Sequence, residues 1–275
     1  MGERSSLPPA PAWRRGVRGL FAGASDAVVS VFFPAGCRIC DKLLVHSSRM
    51  PICEECLDSF AASAEKKCEV CGQALGWLTP REGEPLVCRA CQQKTYAFER
   101  ARSYGIYDGP LVKAILLLKW ERMEPLGAWF AERLAEVILP EGDSFAADVV
   151  VPVPLHRDRE RQRGYNQAGL ISKPLARKLG LPHKSVLLMR TRPRPDKQVL
   201  SLEERWASVR GAFATRPGSQ VDSKRVLLVD DVMTTGATLD ACARVLLGSG
   251  AKSVLGLTVA RAARTPLPTP DSGNL

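Results

Sequence analysis

Aliphatic runs alternate with helix-like segments through the second half of the chain. Between the runs, apolar residues recur at helical spacing, as in "KPLARKLG" and "TLDACARVLLGSG". Upstream, residues 108–139 predict two helices that meet around Glu124 and Pro125. We therefore predict an α/β domain, residues 100–262, with a twisted parallel sheet flanked by helices. The runs that predict strands buried on both faces are "DVVVPVPL", "SVLLMR", "KRVLLVDD" and "AKSVLGLTVAR".

The two ends of the chain fall outside this domain. Near the start, the apolar stretch 17–33 is interrupted by Arg18 and Asp26 and is short for a bilayer crossing. We interpret residues 1–34 as an extension with an amphipathic helix. Two arginines precede the stretch as in a signal peptide, but no clean cleavage pattern follows, so targeting is the minor alternative. Residues 263–275 are rich in Pro, Thr and Ser and predict a disordered tail. We expect a cytoplasmic protein with no membrane span.

Eight of the nine cysteines occur in CxxC knuckles, and Cys242 stands alone in a predicted helix as a small buried residue. A knuckle directs two thiolates at one point, so two knuckles complete a tetrahedral zinc shell. A disulfide framework, which needs an oxidising compartment, and a redox CxxC are the weaker interpretations. We predict a double zinc ribbon, residues 35–95, with two structural Zn²⁺ ions. Neighbouring knuckles give the simplest pairing, and a cross-braced one uses the same ligands: Cys37, Cys40, Cys53, Cys56, Cys68, Cys71, Cys88 and Cys91.

Two adjacent acids follow the aliphatic run of "VLLVDDVMTTGATLDA". Ligands of open α/β sheets gather at the carboxyl ends of the strands, where we place Asp230 and Asp231. Because neighbouring side chains of a strand point to opposite faces, both acids reach one ligand only if the strand ends there. A hydroxyl-rich turn and a helix follow, which favour a bound phosphate. An acidic strand end with an ordinary helix cap is the plainer alternative. The turn consists of Thr234, Thr235, Gly236, Ala237 and Thr238.

The net charge of +10 lies in one stretch of the chain. Residues 156–216 contain 15 Lys and Arg against 5 Asp and Glu, and the remainder contains 24 of each sign. A solvated basic surface is one interpretation of such a stretch. An anion-binding face for phosphate or nucleic acid is the other.

The string from Leu227 to Thr238 resembles the phosphoribosyl-pyrophosphate (PRPP) motif of type I phosphoribosyltransferases at every defined position. With "VPVPLHRDRERQRGYNQA", "QVLSLEERWASVRGAF" and the knuckles, the chain from about Phe32 to Arg261 resembles the ComF family of competence-associated proteins. Ser208 departs from the asparagine common in related sequences, which affects the interpretation of the 198–213 loop. The resemblance implies a type I phosphoribosyltransferase-like sheet after a small cysteine-rich zinc-ribbon module.

The resemblance also implies roles for the strand-end residues. Asp230 and Asp231 would be catalytic and face the ribose hydroxyls, and residues 234–238 would bind the 5′-phosphate. Transfer in such enzymes passes through an oxocarbenium-like state, which requires charge stabilisation and a held leaving group. The implied pyrophosphate site, helped by Mg²⁺, is the turn Pro152, Val153, Pro154 and Leu155.

Cations and aromatic residues follow this turn in what we predict to be a mobile loop. Four arginines would neutralise pyrophosphate or follow a nucleic-acid backbone: Arg157, Arg159, Arg161 and Arg163. Tyr165 and Trp206 could stack bases, although packing against the sheet is the commoner fate of such residues. The predicted nucleic-acid contacts are Arg163, Tyr165, Asn166 and Trp206.

Three functions remain open at this point. The first is a ComF-type DNA-uptake factor that binds single-stranded DNA and has a PRPP site. The second is an active phosphoribosyltransferase on an unidentified nucleobase or amine. The third is a scaffold whose zinc module docks a helicase-like partner and whose sugar-phosphate site is vestigial.

Overall fold

The computed structural model describes residues 36–44, 49–60, 66–76, 83–93, 96–195, 201–219 and 221–262. The predicted N-terminal helix and the predicted disordered tail lie outside the described residues. The chain divides into two compact units, Met1–Ser59 and Phe60–Leu275. The division falls between the second and third CxxC knuckles, so the single zinc-ribbon module 35–95 stays a prediction.

A four-stranded parallel sheet forms the centre of the second unit, in the order β1-β6-β5-β2. Strands β2, β5 and β6 arise from three of the predicted aliphatic runs, and every residue of β2 and β6 is buried. The prediction of a parallel α/β sheet is confirmed. The strands are β1 (Arg100–Ile106), β2 (Val149–Pro152), β3 (Leu188–Arg190), β4 (Phe213–Thr215), β5 (Arg225–Met233) and β6 (Ser253–Arg261).

Helices cover this sheet and begin at recognisable caps. Asp108 accepts a hydrogen bond at the start of α3, with Pro110 in its first turn, and the side chain of Asn166 caps α6. A 3-10 helix, Leu139–Phe145, follows α4 directly. The α-helices are α1 (Glu54–Asp58), α2 (Arg89–Gln93), α3 (Gly109–Trp120), α4 (Pro125–Ile138), α5 (Arg157–Arg163), α6 (Gln167–Lys178), α7 (Leu202–Ala207) and α8 (Ala237–Gly248).

Three local predictions are wrong. The run "SVLLMR" does not join the main sheet, because β3 pairs with β4 in a separate antiparallel ribbon. The stretch predicted to be a mobile loop is helix α5, which His156 caps and Gly164 ends in the left-handed conformation (φ 87°). The 198–213 loop contains α7, because Ser201 and Glu204 form a reciprocal capping box.

The strand register aligns the carboxyl ends of the central strands. Pro152 of β2 lies opposite Val229 of β5, and Asp230 lies opposite Thr258 of β6. The turn that follows β2 therefore comes to the same edge of the sheet as the acid pair. None of the helices in the described ranges is long and apolar enough to cross a membrane.

Candidate functional site

The two acids of β5 lie on opposite faces of the sheet. Asp230 shares a face with Val226 and Leu228, which are buried in one cluster with Cys242 of α8. Asp231 points the other way, and its Oδ2 lies 2.7 Å from Nζ of Lys119 in α3. Strand β5 does not end at the acids as predicted but stays paired with β6 through Met233. Joint contact of both carboxylates with one ribose therefore stays a prediction.

Asp230 is an acid in an unfavourable environment. Burial, followed by repulsion from Asp231, raises the pKa of Asp230 to about 8. The backbone N–H of Asp231 donates to Asp230 Oδ1 at 2.9 Å and offsets part of this effect. A cation that arrives beside Asp230 would favour its ionised form, which suits a position where a ligand brings a metal ion.

The turn after β5 presents backbone amides at the start of α8. Gly236 adopts the left-handed conformation (φ 84°) immediately before the twelve-residue helix. The hydroxyl of Thr235 accepts from the N–H of Ala237 at 3.2 Å, so one amide is already used by the protein. Within the described part of the chain, no acceptor is recorded for the N–H groups of Gly236 and Thr238. Together with the helix dipole, these two groups can hold an anion.

Glycine is required at position 236 for an internal reason. A Cβ there would lie 2.8 Å from Cε of Met233 and 3.0 Å from Cε1 of Tyr96. The positive φ would strain any other residue as well. Gly236 therefore permits the turn and its packing against Met233 and Tyr96.

The turn predicted to bind pyrophosphate is fastened to the sheet. The N–H of Val153 donates to the carbonyl of Val229 at 2.8 Å, which extends the β2–β5 pairing beyond the strand. The side chain of Asn166 donates to the carbonyl of Val153 at 3.0 Å and accepts from the N–H of Ala168 at 3.0 Å. Asn166 therefore holds the turn in place, and its predicted contact with nucleic acid stays untested.

The eight knuckle cysteines form two tetrads of neighbouring knuckles, within each of which all sulfur atoms lie within 4.8 Å of one another. The first tetrad is Cys37, Cys40, Cys53 and Cys56, and the second is Cys68, Cys71, Cys88 and Cys91.

The sulfur spacing of both tetrads fits a tetrahedral metal ion. Adjacent sulfurs lie 3.7 to 3.8 Å apart, and four thiolates at zinc–sulfur bonds of about 2.3 Å would lie about 3.8 Å apart. All cysteines are free, which disfavours a disulfide framework.

The thiols are placed as metal ligands require. In each tetrad a backbone N–H donates to a sulfur, from Cys53 to Cys37 at 3.4 Å and from Cys88 to Cys68 at 3.3 Å. Burial opposes ionisation of Cys37, but the N–H groups around its sulfur lower its pKa to about 6, whereas burial and the neighbouring thiols raise the pKa of Cys56. By the spacing of its sulfur atoms, each tetrad could hold a metal ion such as zinc.

Comparison with known proteins gives one family. The family described as "Phosphoribosyl transferase domain" matches residues 167–270. "DNA utilization protein YhgH" of Salmonella typhi is 33% identical over 214 residues, which cover 74% of this chain and 93% of that protein. "Competence protein F" of Haemophilus influenzae (28% identical, 84% and 99% covered) and "Competence protein ComFC" of Bacillus subtilis (30%, 72% and 85%) are further relatives. The chain belongs to the ComF family.

The ComF-family site contains two cations, Arg190 and Arg194, that the sequence did not single out, together with Arg159, which it did. Burial lowers the pKa of Arg190, and the charges of Arg194 and Arg159 lower it further, so both guanidinium groups act on Arg190. The charge of Asp230 acts on Arg190 in the opposite direction, which places this cluster on the Asp230 side. The guanidinium of Arg190 also stacks on Phe213 at 5.0 Å. The basic segment contains all three arginines, but only the fold brings them together.

Of the cations predicted from sequence, the structure places one beside the acids. Arg157 and Arg161 are exposed on α5. Arg163 is half-buried, its guanidinium lies 4.6 Å from the ring centroid of Trp120, and the charge of Asp231 acts on it. Arg163 also donates a hydrogen bond to Gln167.

The predicted nucleic-acid residues lie in two places. The hydroxyl of Tyr165 donates to the carbonyl of Leu118, near Arg163 and Asn166. Trp206 packs instead on the cluster under α8, with its ring 6.1 Å from that of Tyr96. If these residues contact one strand, the strand has to span both places.

The second tetrad of this ComF-family chain is linked to the phosphate turn. Arg261, at the end of β6, places Nη2 3.4 Å from Sγ of Cys71 and Nη1 3.4 Å from the carbonyl oxygen of Thr234. The hydroxyl of Tyr96, five residues after the last knuckle cysteine, donates to the carbonyl of Thr235 at 3.0 Å. No spacing in the sequence predicts these links, and two of the three join residues more than a hundred positions apart.

Proposed function

We propose that this ComF-family protein binds PRPP or a related sugar phosphate at the turn 234–238 and acts on single-stranded DNA during DNA uptake in the cytoplasm. The observation that carries the proposal is the pair of amides at Gly236 and Thr238, which start a twelve-residue helix beside the buried Asp230. An anion at that helix end would be held by backbone dipoles and by hydroxyl groups that add no charge.

The DNA part of the proposal rests on the relatives and on charge. All three relatives named above carry "DNA utilization" or "Competence" in their names, and this chain concentrates its excess of +10 in residues 156–216. A basic stretch of this kind favours a phosphate backbone. Arg163 and Tyr165 are the proposed strand contacts on the α3 side, and Trp206 is the proposed contact on the α8 side.

Metal ions have two distinct roles in this proposal. Zinc in the cysteine tetrads would stabilise the fold, since each tetrad offers four thiolates and no open position for a substrate. Mg²⁺ would enter with PRPP, and Asp230 and Asp231 would be its nearest carboxylates. When bound, the ion would neutralise charge on pyrophosphate, and Arg159, Arg190 and Arg194 would add positive charge on the Asp230 side.

Titration of the full chain with PRPP and with an oligonucleotide, alone and in competition, tests the proposal. We expect PRPP binding that falls at least tenfold in Asp231→Asn and is unchanged in Asp222→Asn, an exposed acid before the start of β5. Oligonucleotide binding should weaken steeply as salt rises, since it releases counterions. An absence of PRPP binding, or a flat salt response, would contradict the corresponding half of the proposal.

Transferase activity is the second candidate, favoured by Asp230. An acid buried at a strand position with a raised pKa destabilises the fold, and such positions are commonly kept for chemistry. Pyrophosphate release from PRPP across a panel of nucleobases and amines measures this activity, with Asp230→Asn as the comparison variant. If none of the tested acceptors is turned over, only the binding role remains.

Docking of a helicase-like partner stays a prediction, and the compact units define its test. A deletion of residues 1–59 removes the first unit and leaves the second tetrad in place. If the first unit docks the partner, this deletion abolishes partner binding and leaves PRPP binding unchanged.

A further inference from the structure

A cavity of about 510 Å³ lies beside the phosphate turn, between α2, Tyr96 and α7. Its size falls within the range of small-molecule sites, about 300–1,000 Å³. Trp206, the proposed strand contact on the α8 side, forms one of its walls, and none of the roles proposed above uses the enclosed space itself. Its walls are mainly apolar, with three polar side chains among Ala90, Gln93, Tyr96, Leu202, Glu203, Trp206, Ala207 and Arg210.

Two aromatic rings give the cavity flat walls. Tyr96 is buried and stacked on Phe98, with centroids 4.6 Å apart and planes at 20°, so its orientation is fixed. The ring of Trp206 lies 6.1 Å from Tyr96 and is tilted by 31°. A gap of this size is too narrow for a third ring between them, so a planar ligand would stack on the cavity side of Trp206. Leu202, 60% exposed, adds apolar surface there.

The cavity shares a wall with the turn proposed to hold phosphate. The hydroxyl of Tyr96 donates to the carbonyl of Thr235 at 3.0 Å, and its ring packs beneath Gly236. An anion at the start of α8 and a planar group in the cavity would therefore lie on either side of one tyrosine. A nucleotide combines these two parts, because its sugar joins a phosphate to a planar heteroaromatic base.

We propose that the cavity binds one unpaired nucleobase, which stacks on Trp206, with Gln93, Glu203 and Arg210 available to its polar edge. Trp206 lies in the short helix α7, whose capping box fixes the backbone that carries the tryptophan. The adjoining phosphate at residues 234–238 and the strand contact at Trp206 both rest on the proposed function, and the enclosed base site goes beyond it. The base belongs either to a DNA strand or to a free acceptor, and both present the same ring chemistry.

The test compares a twelve-residue oligonucleotide with an abasic strand of equal length and charge. We expect the wild-type chain to prefer the base-bearing strand about tenfold, the size of one stacked base. Trp206→Leu should remove most of this preference, and any remainder would come from Tyr165, the proposed strand contact on the α3 side. Trp206→Phe, which keeps an aromatic face, should retain the preference within about threefold. Equal binding of the two strands by wild type, or an unchanged preference in Trp206→Leu, would overturn the proposal.

Two further measurements separate this proposal from the proposed function. The dissociation constant for PRPP should be the same in wild type and Trp206→Leu, because Trp206 does not line the turn. PRPP binding without a base preference would remove the cavity proposal alone, and a base preference without PRPP binding would remove the sugar-phosphate half of the proposed function alone. Quenching of tryptophan fluorescence by free adenine or thymine, absent in Trp206→Leu, would identify a free base as the occupant, and such quenching only by the oligonucleotide would identify a strand.

Discussion

The two cysteine tetrads have the same CxxC spacing but different surroundings. Around the first tetrad, the hydrogen bonds join nearby residues, as from Arg38 N–H to the carbonyl of Pro51 at 2.9 Å, and Cys40 is exposed. The second tetrad has three buried cysteines. The N–H of Ala101 in β1 donates to the carbonyl of Val70 in its first knuckle at 2.7 Å.

The backbone of the second tetrad is fitted to the main sheet. A Cβ at Gly72 would lie 2.9 Å from the carbonyl oxygen of Ala101, so glycine allows the knuckle to approach β1. Arg261 then connects Cys71 to the phosphate turn. The comparison teaches that ligand spacing predicts where a metal binds, whereas the neighbours of the knuckle decide what depends on that metal.

Removal of one ligand from each tetrad gives the largest expected contrast. Structural zinc is worth about 10–16 kcal/mol in zinc-finger peptides, as much as the whole stability of a typical domain. We expect Cys91→Ser to weaken PRPP binding more than tenfold and to lower the melting temperature of the second unit. Cys40→Ser should leave the PRPP affinity within about twofold of wild type.

Metal analysis and titration calorimetry on both variants provide the measurement. Each variant should lose one of two zinc ions per chain. Equal losses of PRPP affinity in the two variants would show that the tetrads are equivalent.

The pH dependence of stability distinguishes the second unit in another way. In the unfolded chain the pKa of Asp230 is near 3.8, and in the folded chain it is about 8. Between these values the folded state keeps a proton that the unfolded state releases, so this group lowers stability as pH rises from about 4 to about 8. Asp230→Asn should therefore be more stable than wild type at pH 8, by an amount on the order of a few kcal/mol, with the difference shrinking at pH 5.

Denaturant unfolding of both proteins at the two pH values measures this difference. Because wild type and variant are compared at the same pH, effects of pH on the cysteine ligands cancel. A stability difference that is constant with pH would contradict the raised pKa.

Arg261 tests the link between the second tetrad and the turn. Arg261→Met removes both contacts of the guanidinium, and we expect PRPP affinity to fall about three- to tenfold, the net effect of losing about one hydrogen bond that positions the turn. Arg225→Met, which breaks an ion pair with Asp148 at the opposite end of β5, is the matched control. Unchanged PRPP affinity in Arg261→Met would show that the contacts of Arg261 do not couple the second tetrad to the phosphate turn.

The smallest expected effect belongs to the first tetrad. Lys42 and Glu55 form an exposed ion pair of 2.5 Å beside it. Because water screens such pairs, Lys42→Ala should change neither the melting temperature nor the PRPP affinity measurably. A clear loss of either would mean that surface contacts around the first tetrad contribute to stability or PRPP binding as much as the contacts around the second tetrad.

The predictable parts of the fold are those whose pattern is local. Continuous aliphatic runs correctly predicted β2, β5 and β6, and the CxxC spacing correctly predicted the two cysteine tetrads. Strand β1 was missed because its sequence is interspersed with polar residues that find partners far away. Arg102 donates to Glu141 at 2.6 Å and 2.9 Å, and Ser103 lies 2.6 Å from the hydroxyl of Thr258.

The candidate site follows the same rule. The motif identified residues 230–238, and α/β topology placed them at a strand edge. The arginine cluster around Arg190 and the links of Arg261 and Tyr96 depend on tertiary contacts, so no spacing in the sequence could show them. Glycine at 236 was predicted correctly as part of a turn, but its physical reason became visible only with Met233 and Tyr96 in place.

Backbone amide resonances of the turn provide the most direct test of the central claim. The claim is that the N–H groups of Gly236 and Thr238 receive the phosphate of a sugar ligand. In a titration of the isotope-labelled chain with ribose 5-phosphate, both resonances should shift downfield and saturate together, and inorganic phosphate should compete. Shifts confined to other parts of the chain, or no shift at saturating ligand, would contradict the account.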